Sequence, residues 1–283
     1  IRANTLADNI AEGIEASKLT ILPLTGANGK GLGIGTIVDD PSTHLPFPSG
    51  MNVSQRENAK TTLDDVTTKW KMNNYAADHE IEGYASLTSV GRGETIKFYV
   101  NTIDPNYNFE VYRIGWYSGV GGRQMQAPVK LNGTQQPACP IVEAGTNLLE
   151  CNWNESHTLT IPDNSTDSTD WASGYYLVKL VGSSGKQSYI PFIVRDDNRV
   201  ADFMMQASVT TYQAYNNWGG KSLYDKSSSD NKKATKVSFN RPYANDFSSW
   251  GAGQMFAYEL HMLRFLEKEG YDVVYSTNFD THA

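Results

Sequence analysis

Between Glu80 and Arg195 the chain alternates apolar and polar residues in short runs separated by Gly, Pro, Asn and Asp clusters. The run "ETIKFYVNT" puts Ile96, Phe98 and Val100 on one side and Thr95, Lys97 and Tyr99 on the other. "FEVYRIGWY" alternates through Phe109 and Val111, then shifts to Tyr112 and Ile114, which predicts a bulge. "HTLTIPD", "GYYLVKLVG" and "SYIPFIVRDD" continue the series. Successive strand side chains point to opposite faces, so period-two runs of this length with turn punctuation predict an antiparallel β-sandwich, here of immunoglobulin-like arrangement, over residues 80–197. Inside it, "GWYSGVGGRQM" predicts a tight aromatic hairpin that leads into Arg123.

After "RDDNRV" the pattern changes. "ADFMMQASV" is nearly continuous in apolar character, as expected of a strand covered on both faces. "AYELHMLRFLEKEG" has helical period: Leu260 and Leu263, with Phe256 or Leu266, form an apolar face. Glu259, Arg264, Glu267 and Lys268 are expected toward water, and Gly270 is expected as the C-terminal cap. "YDVVYST" then reads as a second strand. Strand, helix, strand is a βαβ unit, so residues 198–283 are expected to open a parallel-sheet α/β domain. Two parallel strands do not complete such a domain, and the expectation is that further chain does.

Ahead of both, residues 41–79 are rich in proline and polar residues and read as a linker hugging the surface, with a short helix within "NAKTTLDDVTTKWKM". Residues 1–40 read as part of a β module: an apolar run "KLTILPL", a glycine-rich turn "GANGKGLG" and a strand "IGTIVDD". The net charge is −7, with no basic stripe, which argues against nucleic acid as a partner. No apolar run approaches the roughly 20 residues that span a bilayer. Cys139 and Cys151 are the two cysteines of a chain rich in Asn, Thr, Ser and Gly. A pair this close in such a composition predicts a local disulfide and an extracellular or cell-surface location.

The segment "ASVTTYQAYNNWGGKSLYD" (207–225) gathers tyrosines, asparagines, a tryptophan and a glycine pair directly after the first α/β strand. Ligands of open α/β sheets sit beyond the carboxyl ends of the strands, so Asn216, Asn217 and Trp218 are expected to line a pocket there. The competing reading is ordinary aromatic packing. No Ser-His-Asp pattern, phosphate loop, CxxC pair or HExxH motif is present. His261 and His282 read as solvated or satisfied rather than ligating.

The stretches "VYRIGWYSGVGGR", "SGYYLVKL", "SYIPFIVRDD", "SVTTYQAYNNWGGKSLY", "KVSFNRPY" and "LRFLEKEGYDVVYSTNFDTH" fall in one order over about residues 80–283. In this they resemble the N,N-dimethylformamidase large-subunit-like family. The resemblance implies a β-sandwich joined to a glutamine-amidotransferase-like α/β domain. It also implies a mononuclear iron, held by two tyrosines and a glutamate, that hydrolyses a small amide. Carried over by position, the tyrosine ligands are Tyr215 in "TYQAYN" and Tyr258 in "FAYELHM", with Tyr212 and Tyr243 as alternates. The glutamate is expected after residue 283, so this stretch alone is expected to be inactive. Phenolate is a hard anionic donor that forms near neutral pH only under a strong Lewis acid, which is what iron would supply. Residues 1–40 resemble the end of a Calx-beta module through Asp8, Glu12, Gly13 and Glu15, and through Gly35, Thr36, Ile37, Asp39 and Asp40. That resemblance implies calcium, with Asp8, Glu12 and Glu15 as candidate ligands. The bland alternative is solvated rim charge. A second overall reading keeps the fold without the chemistry: a structural or adhesive module that self-associates in a surface assembly.

Overall fold

The protein is described by a computed structural model that covers residues 50–60, 69–163, 170–245 and 249–282. The chain divides at Met51/Asn52, and the helices and strands described all belong to the unit that begins at Asn52. The Calx-beta-like stretch, with Asp8, Glu12 and Glu15, lies outside the described residues.

In chain order the elements are α1 (Val53–Asn58), β1 (Ile81–Ala85), β2 (Ser89–Gly91), β3 (Thr95–Thr102), β4 (Asn106–Ile114), β5 (Gly122–Gln124) and β6 (Val129–Asn132). There follow β7 (Ile141–Glu143), β8 (Leu148–Leu149), β9 (His157–Thr160), β10 (Gly174–Gly182), β11 (Gln187–Arg195) and β12 (Phe203–Ala207). The described chain closes with α2 (Val209–Tyr215), α3 (Met255–Tyr258), α4 (Leu260–Lys268) and β13 (Val273–Thr277).

Two sheets share one core. The smaller runs β1-β3-β9 and the larger β2-β11-β10-β4-β5, with β6 also on β4. Ile96, Phe98 and Val100 of β3 point inward as the alternation predicts. They meet Phe109 and Val111 of β4, Tyr176, Val178 and Leu180 of β10, and Phe192 of β11. Each such side chain, taken fully out of water, contributes about 1.5–3 kcal/mol.

The larger sheet is buried on its other face as well. Tyr112, Ile114, Tyr175, Leu177, Tyr189 and Ile193 pack there against Val209, Tyr212, Met255, Leu263, Val273 and Tyr275. The break in alternation at Tyr112–Ile114 is therefore not a bulge. The β4–β10 register is continuous from Ile114 to Tyr107. Arg113 simply joins its neighbours in being buried.

The parallel pair β12–β13 is formed as expected. Its first strand departs from the expectation of two covered faces. Phe203 is 46% and Met204 57% exposed. Among the described residues β12 pairs with β13 and with no other strand. The part expected to be linker also differs from Asn52 onward. A helix lies at Val53–Asn58, opened by a capping box in which Asn52 and Gln55 satisfy each other's backbone N–H, and most of the stretch where a helix is expected, 61–68, lies outside the described residues. Its Glu57 and Asn58 are buried. In α4 Leu263 is buried as expected, and Gly270 takes the left-handed conformation of a C-terminal cap. Glu259 and Glu267, however, turn inward rather than to water.

The reason is a buried polar network. Glu267 receives both terminal nitrogens of Arg113, at 2.7 and 3.3 Å, with Tyr275 Oη at 2.8 Å and Asn58 Nδ2 at 2.9 Å. Arg113 also donates to Tyr117 Oη, which donates to Glu57, and Glu57 takes a two-pronged pair from Arg123. The arginine of the aromatic hairpin thus has its partner in α1. Gly115 keeps the approach open, because a Cβ there would meet both the Glu267 carboxylate and Arg113 Nη1.

Cys139 and Cys151 form the expected disulfide, which encloses the β7–β8 pair. Closing a loop of this length is worth about 3 kcal/mol in the chain-entropy account. Cys151 packs with Tyr84, Trp153 and Trp218 in a third apolar cluster.

Removing one partner of the Arg113–Glu267 pair strands a charge in a dry interior. We expect Glu267→Gln and Arg113→Met each to cost about 3–5 kcal/mol in urea unfolding, and the double variant to cost less than the sum.

Candidate functional site

The site is built where β12 runs into α2 and meets the α3–α4 junction. Ser208, ahead of α2, makes no side-chain cap. Its backbone N–H instead donates to Glu259 Oε1 at 2.9 Å. Tyr212, one turn on, hydrogen-bonds the other oxygen of the same carboxylate through its hydroxyl. The Tyr212 hydroxyl also lies 2.9 Å from that of Tyr175 on β10. One carboxylate thereby ties α2 to α4 over the larger sheet. Burial pushes the Glu259 carboxyl up to about 7, with the Ser208 N–H pulling against it. Burial likewise raises the Tyr212 and Tyr243 hydroxyls well above the ordinary phenol range.

The chain then turns through a loop held from inside. Asn216 donates to Gln213 Oε1 at 2.7 Å and to Pro242 O at 2.9 Å, and accepts from the N–H groups of Trp218 and Ala244. Trp218 is buried, and its indole N–H reaches Glu82 Oε2 on β1 at 2.6 Å. Gly219 and Gly220 both have positive φ, the reason the glycine pair is there. Arg241, 1% exposed, fills the hub of the loop and donates to the carbonyls of Asn216, Trp218 and Lys221.

Two cavities border this framework. A small one of about 50 Å³ is lined by Tyr212, Tyr215, Asn216, Asn217, Tyr243 and the Gly253–Gln254 turn. A larger one of about 460 Å³ also takes in Tyr212 and Tyr243, and adds Tyr175, Gln213 and Arg241. Of the residues expected to line a pocket, Asn216 and Asn217 border the small cavity, while Trp218 is turned toward β1.

The tyrosines are placed differently from one another. Tyr212 and Tyr243 lie with ring centroids 6.3 Å apart and border both cavities. Tyr215 is 47% exposed and stacks on Tyr224, with centroids 4.4 Å apart. Hydrogen bonding with the Tyr224 hydroxyl raises its pKa. Tyr258 is 73% exposed. Its N–H bonds Gln254 O, and Gln254 borders the small cavity beside Tyr215. The Glu259 tie thus brings together the two segments that carry Tyr215 and Tyr258.

The two phenols by themselves supply only part of the donor set that a mononuclear iron calls for. Tyr215 borders the small cavity and Tyr258 borders neither of the two described, and a hard trivalent ion calls for converging anionic donors. The nearest carboxylate in sequence, Glu259, already serves Tyr212 and Ser208. Among the described residues no three His, Cys, Asp or Glu side chains are grouped to hold a metal.

Reading by residue type missed Glu259, Gln213, Arg241 and Tyr175. Glu259 sits on the polar side of the helical period. Arg241 and Gln213 serve contacts distant in sequence, for which no local pattern exists.

Residues 108–283 match the family model described as N,N-dimethylformamidase beta subunit-like, C-terminal. The chain belongs to the N,N-dimethylformamidase beta subunit-like family. The family match covers α2, the Arg241 loop and the α3–α4 junction, and it does not reach the Calx-beta-like stretch. No curated protein matches the sequence. Among solved structures, Pseudomonas fluorescens alkylpurine DNA glycosylase AlkC, bound to DNA containing an abasic site analog, aligns at 13% identity. That alignment covers 42% of this chain and 32% of the glycosylase with a TM-score of 0.24, too loose a likeness to carry any argument. No helix among the described residues is long and apolar enough to cross a membrane.

Glu259 makes stability depend on pH in this dimethylformamidase-like unit. A carboxyl whose pKa is higher folded than unfolded binds more protons in the folded state between the two values. Stability from this group is therefore fully present below about pH 4.5 and lost as pH rises through about 7. Thermal or urea unfolding should show the native chain losing about 3 kcal/mol from this source across that window. Glu259→Gln should remove most of that slope and be relatively more stable at pH 8.

Proposed function

We propose that this chain carries the tyrosine-bearing part of an amide hydrolase of the dimethylformamidase type, with small N-substituted amides as the substrate class. The observation that supports it is the Glu259 tie, which brings the Tyr215 and Tyr258 segments together within the family-matched region. In this reading the two-sheet part is immunoglobulin-like, and β12–α2–α4–β13 opens a glutamine-amidotransferase-like sheet. Tyr215 and Tyr258 are two of the three iron ligands, and the carboxylate comes from outside the described residues. The disulfide is consistent with an extracellular or cell-surface setting.

A second reading has its own observation. Two exposed phenols are also what a module would show if it kept the fold and lost the chemistry. It would then serve as a structural or adhesive unit in a self-associated surface layer.

The full-length protein separates the two. Under the hydrolase reading it holds about one iron per chain by elemental analysis and releases formate from N,N-dimethylformamide. Tyr215→Phe and Tyr258→Phe each lose the iron and lower turnover by at least about a hundredfold, while the unfolding midpoint stays within a few degrees. Full-length protein that is iron-free after expression in iron-replete medium, and inactive on small amides, would favour the scaffold reading.

A further inference from the structure

We propose that the 460 Å³ cavity between the larger sheet and α2 is a binding site for a small organic carboxylate with an apolar body, its anion held by Arg241 and Gln213. The proposal is independent of any metal and of amide hydrolysis.

The cavity's size falls in the range of small-molecule sites. Its walls are mostly apolar, with Ile193 of β11, Val209 of α2, Phe239 and Phe279 among them. Two polar side chains at its border are each 1% exposed: Gln213, whose Nε2 has no partner among the described residues, and Arg241, whose partners among those residues are all neutral.

Arg241 donates from Nε to Gln213 Oε1 at 3.2 Å, from Nη1 to the carbonyls of Trp218 and Lys221 at 3.3 and 2.6 Å, and from Nη2 to Asn216 O at 3.1 Å. Those are four acceptors for a group with five N–H donors. All four are neutral. Elsewhere among the described residues buried arginines have carboxylates: Arg113 has Glu267 and Arg123 has Glu57. Among the same residues no ion pair is seen for Arg241. Burial pulls its pKa down to about 10, with the Tyr243 phenol the one group acting the other way. It stays charged at neutral pH, and an unpaired charge out of water is costly.

Gln213 supplies the second donor. Its oxygen must face Arg241 Nε and Asn216 Nδ2, because both are donors. That fixes the amide orientation and turns Nε2 away from them. Nε2 is buried and has no partner among the described residues. The unpartnered Gln213 amide N–H₂ and the Arg241 guanidinium belong to side chains joined by one hydrogen bond, and a carboxylate is the anion that pairs with both kinds of donor. The charged groups at the cavity border do not supply that anion. Glu94 and Asp280 are engaged with Arg195, and Glu259 behind the wall bonds Tyr212 and Ser208. A carboxylate ligand would complete both side chains, and its hydrocarbon part would cover the apolar wall.

The test is calorimetric titration of the purified protein at pH 7 with butyrate, phenylacetate and the neutral phenylacetamide. Phenylacetate is expected to bind, and phenylacetamide at least about tenfold more weakly, a difference of about 1.4 kcal/mol. Gln213→Glu places a carboxylate beside Arg241 without changing side-chain size. It should leave the unfolding midpoint equal or higher and weaken phenylacetate by at least about tenfold. Failure of both acids to bind, equal binding of acid and amide, undiminished binding to Gln213→Glu, or a lower midpoint in that variant would each overturn the proposal.

Discussion

The structure turns on Arg113 and Glu267. A charge on β4, an interior strand of the larger sheet, and a charge on α4 meet where neither can reach water. A buried pair of this kind adds little net stability against an apolar substitute. It does penalise every arrangement in which the partners fail to meet. Because Glu267 also takes Tyr275 of β13 and Asn58 of α1, four separate stretches of chain are held to one register. The second pair, Glu57 with Arg123, shares Tyr117 with the first and extends the same constraint to β5.

With that register set, the larger sheet works as a platform. Alternate residues of β10 serve different cores: Tyr176, Val178 and Leu180 face the smaller sheet, while Tyr175 and Leu177 face the helices. Tyr175 carries the platform into the site, because its hydroxyl meets that of Tyr212 and through it the Glu259 carboxylate. Glu259 then fixes α2 at its start, and Arg241 fixes the loop that follows at its hub. This is how a segment rich in glycine and asparagine holds a defined shape without regular structure. Its backbone carbonyls are bound by a side chain that is itself buried.

Much of this is readable in one dimension, and the exceptions share a cause. The inward set Ile96, Phe98 and Val100, the disulfide between Cys139 and Cys151, the individual strands β12 and β13 and the cap at Gly270 all rest on signals between near neighbours. The family resemblance is carried in the same way, by short runs in order. A helical period points Glu259 and Glu267 to water because it has no means of knowing that Tyr212 and Arg113 wait on the inner side. Helix α1 is only six residues long, and its strongest signal is the Asn52–Gln55 capping box.

Alternation and turn chemistry by themselves determined that this chain builds twisted antiparallel sheets followed by a parallel pair, because those signals act between residues a few positions apart. Which charges go inside was decided by tertiary structure alone. Burying Arg113, Glu267, Glu57 and Arg241 is tolerable only when partners from distant segments arrive together, and the distance between those segments in sequence carries no periodic trace.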